Sequence, residues 1–429
     1  MDYSKLHQIF LKSKGVSTDT REDLSNKIFF ALKGPNFNAN AFAGQALENG
    51  ARLVVVDEKS IEDDRILLVE NSLSTLQGLA NYHRKKHPAK FVGITGSNGK
   101  TTTKELLYSV LSEKYRTQAT KGNLNNHIGV PLTLLSIKPD CEVAIIEMGA
   151  NHPKEIEFLS SIAEPEIGLI TNIGKAHLEG FGSIEGVDRS KRELFNFIEK
   201  AGGQIFLNQN DPFLTAAKDN YTNVISYGKD TVNNYYIEPN SEDLSLNLNM
   251  QVGGNLLKVK SALFGKYNAD NILAAATVAD FLGVGPDDIV AGIEKYRPAN
   301  SRSQVAKSTR NTIILDAYNA NPSSVEKAIE ELSKIADKQA LAILGEMKEV
   351  GADTDLAHAY IADLLNKYQI EHVLIGSAFK QHCNDFCIAH FNDSASALED
   401  ANTFEKFKER TILVKGSRSV ALEKIVPLL

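Results

Sequence analysis

The chain has 429 residues, 42% apolar and 24% charged, with a net charge of -7. That composition is ordinary for a globular protein and argues against a general nucleic-acid binder, which needs clustered Lys and Arg. At about 150 residues per unit the length predicts about three domains, and no apolar run approaches the ~20 residues of a membrane span. The start Met1-Asp2-Tyr3-Ser4-Lys5 lacks a secretion-signal pattern, and Cys141, Cys383 and Cys387 have no framework spacing, so the chain reads as a reduced, cytoplasmic protein. Cys141 is expected in the core, and His382-Cys383 with Cys387 lacks the second Cys/His pair of a structural zinc.

In residues 1–87, the first expected unit, the spacing of Leu6, Ile9 and Phe10 predicts a helix. The apolar runs Ile28 to Leu32, Leu53 to Val56 and Ile66 to Val69 predict buried strands, with helices around Ala41 to Leu47 and from Leu73 to His83. The basic run His83-Arg84-Lys85-Lys86-His87 reads as a solvated helix end. His87-Pro88 marks a boundary, because a residue before proline is pushed out of the helical region.

The second unit, 88–298, alternates: strand from Phe91 to Thr95, a glycine loop, a helix from about Gly99 to Tyr115, strands at Val143 to Glu147 and Ile167 to Thr171, and a helix from Glu185 to Ile198. Such alternation implies a parallel sheet with helices on both faces. Short alternating segments between Tyr235 and Phe264 predict an antiparallel insertion, and a long helix through Ala269, Ile272, Leu273, Ala276 and Val278 closes the unit. The third unit, 299–429, follows Arg297-Pro298-Ala299-Asn300-Ser301. It reads as strand (Thr312 to Asp316), helix (Ser323 to Ile335), strand (Ala340 to Leu344), helix (Asp355 to Leu365), strands at His372 to Ile375 and Thr411 to Val414, and a final helix. The expected class is α/β throughout, the third unit having dinucleotide-fold character.

The strand ending at Thr95 runs into Gly96-Ser97-Asn98-Gly99 and a helix opening Lys100-Thr101-Thr102. Glycines let backbone N–H groups close around phosphate oxygens, and a helix N-terminus adds about half a positive charge. Lys100 can reach the β- and γ-phosphates, and Thr101 can ligate Mg²⁺. The standard motif wants a glycine where Ile94 stands, so this is a shorter form. A nucleoside triphosphate, ATP, is the expected ligand; the loop alone does not choose among motors, switches, kinases and ligases.

Later strand ends carry polar residues where an open α/β sheet binds its ligand. Glu147, in Glu147-Met148-Gly149-Ala150, either holds Mg²⁺ or is a surface carboxylate. His177, after Thr171-Asn172-Ile173-Gly174, either serves a metal or phosphoryl group or is structural. The loop from Thr120 to Gly129, with Asn125 and Asn126, either lines a substrate channel or is a capped turn. Lys191 alone is an ordinary helix lysine. Asp316-Ala317-Tyr318-Asn319-Ala320-Asn321-Pro322 and Lys415-Gly416-Ser417-Arg418 are further polar strand ends, the second friendly to anions.

Together these segments resemble the Mur ligases over essentially the whole chain. The short loop Thr95-Gly96-Ser97-Asn98-Gly99-Lys100-Thr101-Thr102, then Gly122-Asn123-Leu124-Asn125-Asn126, Glu147-Met148-Gly149-Ala150 and Thr171-Asn172-Ile173-Gly174 with His177, follow in family order. Ser17-Thr18-Asp19-Thr20-Arg21 with Phe30-Ala31-Leu32-Lys33-Gly34 resembles the uridine-nucleotide domain of the MurE and MurF types, Asp316 to Pro322 and Leu344-Gly345-Glu346-Met347 are similar to the MurF type, and the Asp-Asn-Pro-Arg signature of the MurE type is absent. The resemblance implies a central ATPase domain between an N-terminal uridine-nucleotide domain and a C-terminal Rossmann-like domain. It also implies addition of D-Ala-D-Ala to UDP-N-acetylmuramoyl-tripeptide through an acyl phosphate, by a cytoplasmic monomer in peptidoglycan precursor synthesis. Gly96 to Thr102 would hold the phosphates, with Lys100, His177 and Lys191 catalytic; Thr101, Glu147, His177 and a CO₂-carbamylated Lys191 would serve Mg²⁺. Asn268, Asn271, Arg302 and Asp316 would hold ATP; Thr20, Arg21, Asn36, Asn38, Asn125, Asn126, Asn319 and Asn321 would contact the other substrates. Tyr267 stands where the family usually has His, and Lys154 where glycine is common. The alternatives are another ligase of the superfamily, of the MurE or folylpolyglutamate type, or a non-catalytic nucleotide-binding scaffold.

Overall fold

Short β-branched and aromatic runs pair in parallel at the start of the chain. In the computed structural model, strands Val16–Ser17, Ile28–Phe30, Leu53–Val56 and Ile66–Leu68 lie side by side in that order. Helices Tyr3–Leu11 and Ser72–Lys86 pack on one another beside this sheet. Asp2 and Asn71 cap them, each side chain accepting main-chain N–H groups of the first turn. The structure describes residues 1–59, 61–237, 244–299, 301–335, 339–348 and 350–429; Asn300 of the expected second boundary and 238–243 of the expected insertion lie outside them.

The second sheet has six parallel strands in the order Val224–Tyr227, Gln204–Asn208, Ile167–Ile170, Lys90–Thr95, Val143–Glu147 and Thr117–Ala119. The strand that feeds the glycine loop is therefore flanked by the strands ending at Ile170 and Glu147, and all three release their loops at one edge. The expected helix from Glu185 to Ile198 is two, Ile184–Lys191 and Glu193–Ala201, meeting at Arg192. The insertion is a three-stranded antiparallel sheet, Asn234–Ile237, Leu246–Val252 and Asn255–Ser261. Leu248 and Met250 from that sheet and Ile94 from the central one share a core with Ile272 and Leu273. Helix Ala269–Phe281 is thus covered on both sides, which is why its apolar residues run all round it.

The third sheet is mixed. Gln304–Lys307 runs antiparallel to Thr312–Asp316, and Thr411–Lys415, Ala340–Gly345, Glu371–Ile375 and Cys387–Phe391 continue in parallel. The expected final helix is instead three 3₁₀ turns, Arg418–Val420, Leu422–Lys424 and Val426–Leu428, the first two separated by Ala421 at φ 55°.

The run from His83 to His87 is solvated only at Lys85 and Lys86. Arg84 donates Nε to Ala163 O at 2.9 Å and Nη2 to Glu164 O at 2.6 Å, pairs with Glu166 at 3.1 Å, and lies 3.8 Å over the Phe91 ring. His83 and His87 are buried, and His83 Nδ1 meets His7 Nε2 at 3.0 Å. The helix end is a pin joining the first sheet's layer to the second. The expectation of reduced thiols also fails for one pair: Cys383 and Cys387 form a disulfide across 5.2 Å of Cα separation, drawn together by a turn in which Cys387 N–H donates to Asn384 O. Cys141 is free and buried. Among the described residues no helix is long and apolar enough to cross a membrane.

Candidate active site

The glycine loop needs its glycines. Gly96 has φ 144° and Gly99 φ 80°; a Cβ would lie 2.0 Å from Thr171 Oγ1 at the first and 2.6 Å from Asn271 Oδ1 at the second. Neighbouring side chains hold the loop in shape. Thr171 Oγ1 and Asn172 Nδ2 both donate to Asn98 O, at 2.6 and 3.0 Å. Ser97 Oγ donates to Gly174 O at 3.1 Å and accepts from Gly174 N–H at 2.9 Å. The loop opens onto the N-terminus of helix Lys100–Leu111, whose first N–H groups lack partners within the helix. Lys100 Nζ folds back onto Gly96 O at 2.5 Å and Ser97 O at 3.2 Å. Burial brings its amine down to about 8, with Glu147 opposing that shift and Arg302 reinforcing it.

Glu147 is 2% exposed. Its Oε1 accepts from Asn125 Nδ2 at 2.8 Å, while its buried Oε2 has no hydrogen-bond partner. Lys104 Nζ stands 3.7 Å from that oxygen and donates to Thr120 O at 2.7 Å. Lys104 is wholly buried and was not singled out in the sequence, where it is one more lysine on a helix. It ties the Glu147 carboxylate to the loop that carries Asn125. Asn126 Oδ1 accepts from Ile128 N–H and Gly129 N–H, so its side chain caps its own turn. Lys191 is 1% exposed, donates to Ala150 O at 3.2 Å and faces the Phe181 ring at 5.1 Å. Burial, followed by the charge of Lys100, pushes its amine well below the ordinary lysine range.

At the other end of the helix start, Thr103 Oγ1 donates to Asn271 Oδ1 at 3.1 Å and Asn271 Nδ2 to Asn268 Oδ1 at 2.9 Å. Beyond the hinge, Arg302 lies 3.7 Å over the Tyr318 ring, and Lys415 Nζ bonds Asp316 Oδ2 at 2.6 Å. Asn319 Oδ1 accepts from Ala320 N–H at 2.9 Å. Asn321 reaches the glycine loop itself, donating Nδ2 to Asn98 Oδ1 at 2.8 Å.

All these elements enclose one cleft of ≈ 600 Å³ between the second and third sheets. Ser97, Asn98, Gly99, Lys100, Thr101 and Thr102 line it, with Asn125, Asn126, Glu147, His177, Asn268 and Asn271, and from the third unit Arg302, Asp316, Asn319 and Asn321. Gly96 lies beneath the loop and Lys191 behind Ala150, neither on the cleft wall. Thr20, Arg21, Asn36 and Asn38 stay in the first unit and line none of it: Arg21 forks onto Asp19, Asn38 bonds Glu58, and Thr20 O accepts from Asn49. The cleft carries the cations Lys100, Arg302, Lys327, Lys415 and Arg418 against Glu147, Glu155 and Asp316, which suits a polyanion. Among the described residues no group of three His, Cys, Asp or Glu is placed to hold a metal by itself.

Residues 94–279 match the Mur ligase middle domain and residues 301–418 the Mur ligase glutamate ligase domain. The chain is 32% identical over 428 residues to the UDP-N-acetylmuramoyl-tripeptide–D-alanyl-D-alanine ligase of Bacillus subtilis (strain 168), covering 96% of this chain and 92% of that protein. Its fold is similar to a crystal structure of MurF from Acinetobacter baumannii, with a TM-score of 0.89, 30% identity and coverage of 99% and 97% of the two chains. It is also similar to MurF ligase from Thermotoga maritima in complex with ADP, with a TM-score of 0.88, 28% identity and coverage of 98% and 97%. With both domain matches in place and that identity running almost end to end, the chain belongs to the Mur ligase family.

Proposed function

We propose that the chain is the ATP-dependent ligase that joins D-Ala-D-Ala to UDP-N-acetylmuramoyl-tripeptide during peptidoglycan precursor synthesis. The observation that carries this reading is the cleft in which a phosphate loop faces the segment from Asp316 to Asn321 across the hinge. Near full-length similarity to the Bacillus subtilis enzyme of that name and to an ADP-bound MurF supports it. A carboxylate is a poor electrophile. Its oxygen attacks the γ-phosphate of ATP, ADP leaves, and the amine of the dipeptide then attacks the acyl phosphate carbonyl and expels phosphate. The protein's part is positioning and charge neutralisation, and Lys100, the loop N–H groups and Arg302 are the groups suited to it. Closure of the third unit keeps water from the acyl phosphate.

The residues present fit Mg²⁺. Glu147 Oε2 is a buried oxygen with no hydrogen-bond partner, and Thr101 lines the same cleft. Mg²⁺ typically takes one or two carboxylates and completes its shell with substrate phosphates and water, which is consistent with the lack of an all-protein cluster. Bound there, the ion would neutralise phosphate charge. Lys191 fits carbamylation, since burial pushes its amine well below the ordinary lysine range, towards the neutral form that attacks CO₂. The resulting anion would lie within electrostatic reach of Lys100, and His177 lines the cleft. Thr20, Arg21, Asn36 and Asn38 are read as uridine-side contacts. The units 1–87, 88–298 and 299–429 are read as domains that each bring one substrate. ATP and a UDP-sugar are both cytoplasmic, so the reading puts the reaction there, and one chain supplies the whole cleft.

The test is ADP and phosphate release with UDP-N-acetylmuramoyl-tripeptide and a panel of amines. Release that requires both the tripeptide and D-Ala-D-Ala is expected. Release with glutamate or a diamino acid but not with the dipeptide overturns the assignment.

A further inference from the structure

Two non-glycine residues of the hinge hold left-handed backbone, Ser301 at φ 56° and Ser303 at φ 47°, one on each side of Arg302. A residue with a Cβ stays in that region only when its surroundings hold it there. Ser303 is 5% exposed. Its N–H donates to Asp316 Oδ1 at 3.2 Å, and its hydroxyl meets Tyr267 Oη at 3.3 Å and Asn268 Nδ2 at 3.4 Å. The serine is therefore gripped from both sides of the hinge, by Tyr267 and Asn268 of the second unit and by Asp316 of the third. Tyr267 reaches it because its ring folds back over Gly265: at φ 87°, a Cβ there would lie 2.4 Å from Tyr267 Cε1. Burial keeps the Tyr267 hydroxyl protonated and able to donate. Arg302, between the two strained serines, lies over Tyr318 and close enough to Lys100 to depress its amine.

We infer that Ser303 and Tyr267 form a knot that holds residues 301–303 in their strained turn, and so delivers Arg302 to the phosphate pocket when the third unit docks. Both are positioning residues that act through Arg302, and the inference rests on the ligase reading above. The turn does not maintain itself, because its two left-handed serines favour release. The hydroxyl pair spans the hinge and forms only in the docked arrangement. Docking and the placement of Arg302 are then a single event, and the cation arrives where charge develops on the transferring phosphate.

The test compares Ser303→Ala, Ser303→Gly and Tyr267→Phe in the full-length enzyme, alone and combined with Arg302→Ala, reading kcat for D-Ala-D-Ala ligation. Ser303→Ala and Ser303→Gly are each expected to lower kcat by roughly tenfold to a hundredfold. Neither should lower it further once Arg302 is alanine. Near-normal kcat in Ser303→Gly, which tolerates the turn but has no hydroxyl to hold it, overturns the knot, as does a full additional loss in the Arg302→Ala background. If Ser303→Ala fails to fold, Tyr267→Phe, which removes one oxygen, carries the same comparison. An unmutated enzyme that does not ligate D-Ala-D-Ala instead rejects the ligase reading itself.

Discussion

Asn98 of the phosphate loop and Asn321 of the third unit are joined directly, Asn321 Nδ2 donating to Asn98 Oδ1 at 2.8 Å. Asn98 Nδ2 in turn donates to Ser323 Oγ at 3.2 Å, and that hydroxyl is held by Asn321 Oδ1 at 2.9 Å. The glycine loop is thus also a docking point for the third unit. Asn321→Ala removes a bond worth about 1 kcal/mol and is expected to lower kcat by about fivefold. The affinity of the loop for a non-hydrolysable ATP analogue should barely change. Steady-state kinetics beside calorimetry separates the two, and an unchanged kcat would show that turnover does not use this contact.

Lys100 gives nucleotide binding a pH dependence. Its amine titrates near 8 because burial disfavours the charged form, which is the form phosphate needs. Affinity should be level from pH 7 to about 8 and then fall by up to about tenfold per pH unit, with proton uptake on binding. Lys100→Arg, which stays charged, should abolish that slope in calorimetry. Stability of the ligand-free protein runs the other way. The unfolded chain keeps this lysine protonated up to its ordinary 10.5, so stability rises between about 8 and 10.5 as the folded form sheds its buried charge.

Lys191→Ala should cost ligation roughly a hundredfold or more. Unmutated enzyme in CO₂-depleted buffer should lose activity and regain it with bicarbonate. A carbamate carbon signal from ¹³C-labelled bicarbonate should appear in the unmutated protein and not in Lys191→Ala. Full activity of Lys191→Ala without bicarbonate sinks the carbamate.

The histidine cluster makes the first joint acid-sensitive. Burial, then the neighbouring His7 and His87, pushes His83 down to about 4, so it is neutral in the folded protein. Its surroundings are His7 Nε2 and the Phe10 and His87 rings, with Lys86 acting on His7. The unfolded chain takes up a proton below about 6.5. The contribution is therefore complete above pH 6.5 and is lost as pH falls towards 4. Between pH 7.5 and 5 the Tm of the unmutated protein should drop roughly 2–4 °C more than that of His83→Gln. Parallel pH curves for the two proteins would overturn this.

Features encoded over a few neighbouring residues could be read from the sequence. Leu53–Val56 and Val143 to Ile146 are unbroken apolar runs, and the glycines before Lys100 encode their own backbone geometry. Edge strands such as Thr117–Ala119 and Gln304–Lys307 are half-buried and polar, so they leave no periodic signal. Lys104 and Arg84 acquire their roles only from partners the fold brings up, Glu147 and Thr120 for one, Ala163 and Glu164 for the other. A basic run is usually solvated, and nothing in His83 to His87 distinguishes the buried case. Lys154, at a position where glycine is common, has φ 72°, the backbone glycine favours.

Arg84 joins the first unit to the second mainly through main-chain carbonyls, those of Ala163 and Glu164. A carbonyl is offered whatever side chain its residue carries, so the receiving surface can drift in sequence without losing the joint. The joint at the phosphate loop is side chain to side chain, from Asn98 to Asn321 and Ser323. A change on either side there orphans the other, so the two halves must vary together. Of these two attachments one tolerates mutation and the other does not, and the intolerant one lies at the cleft.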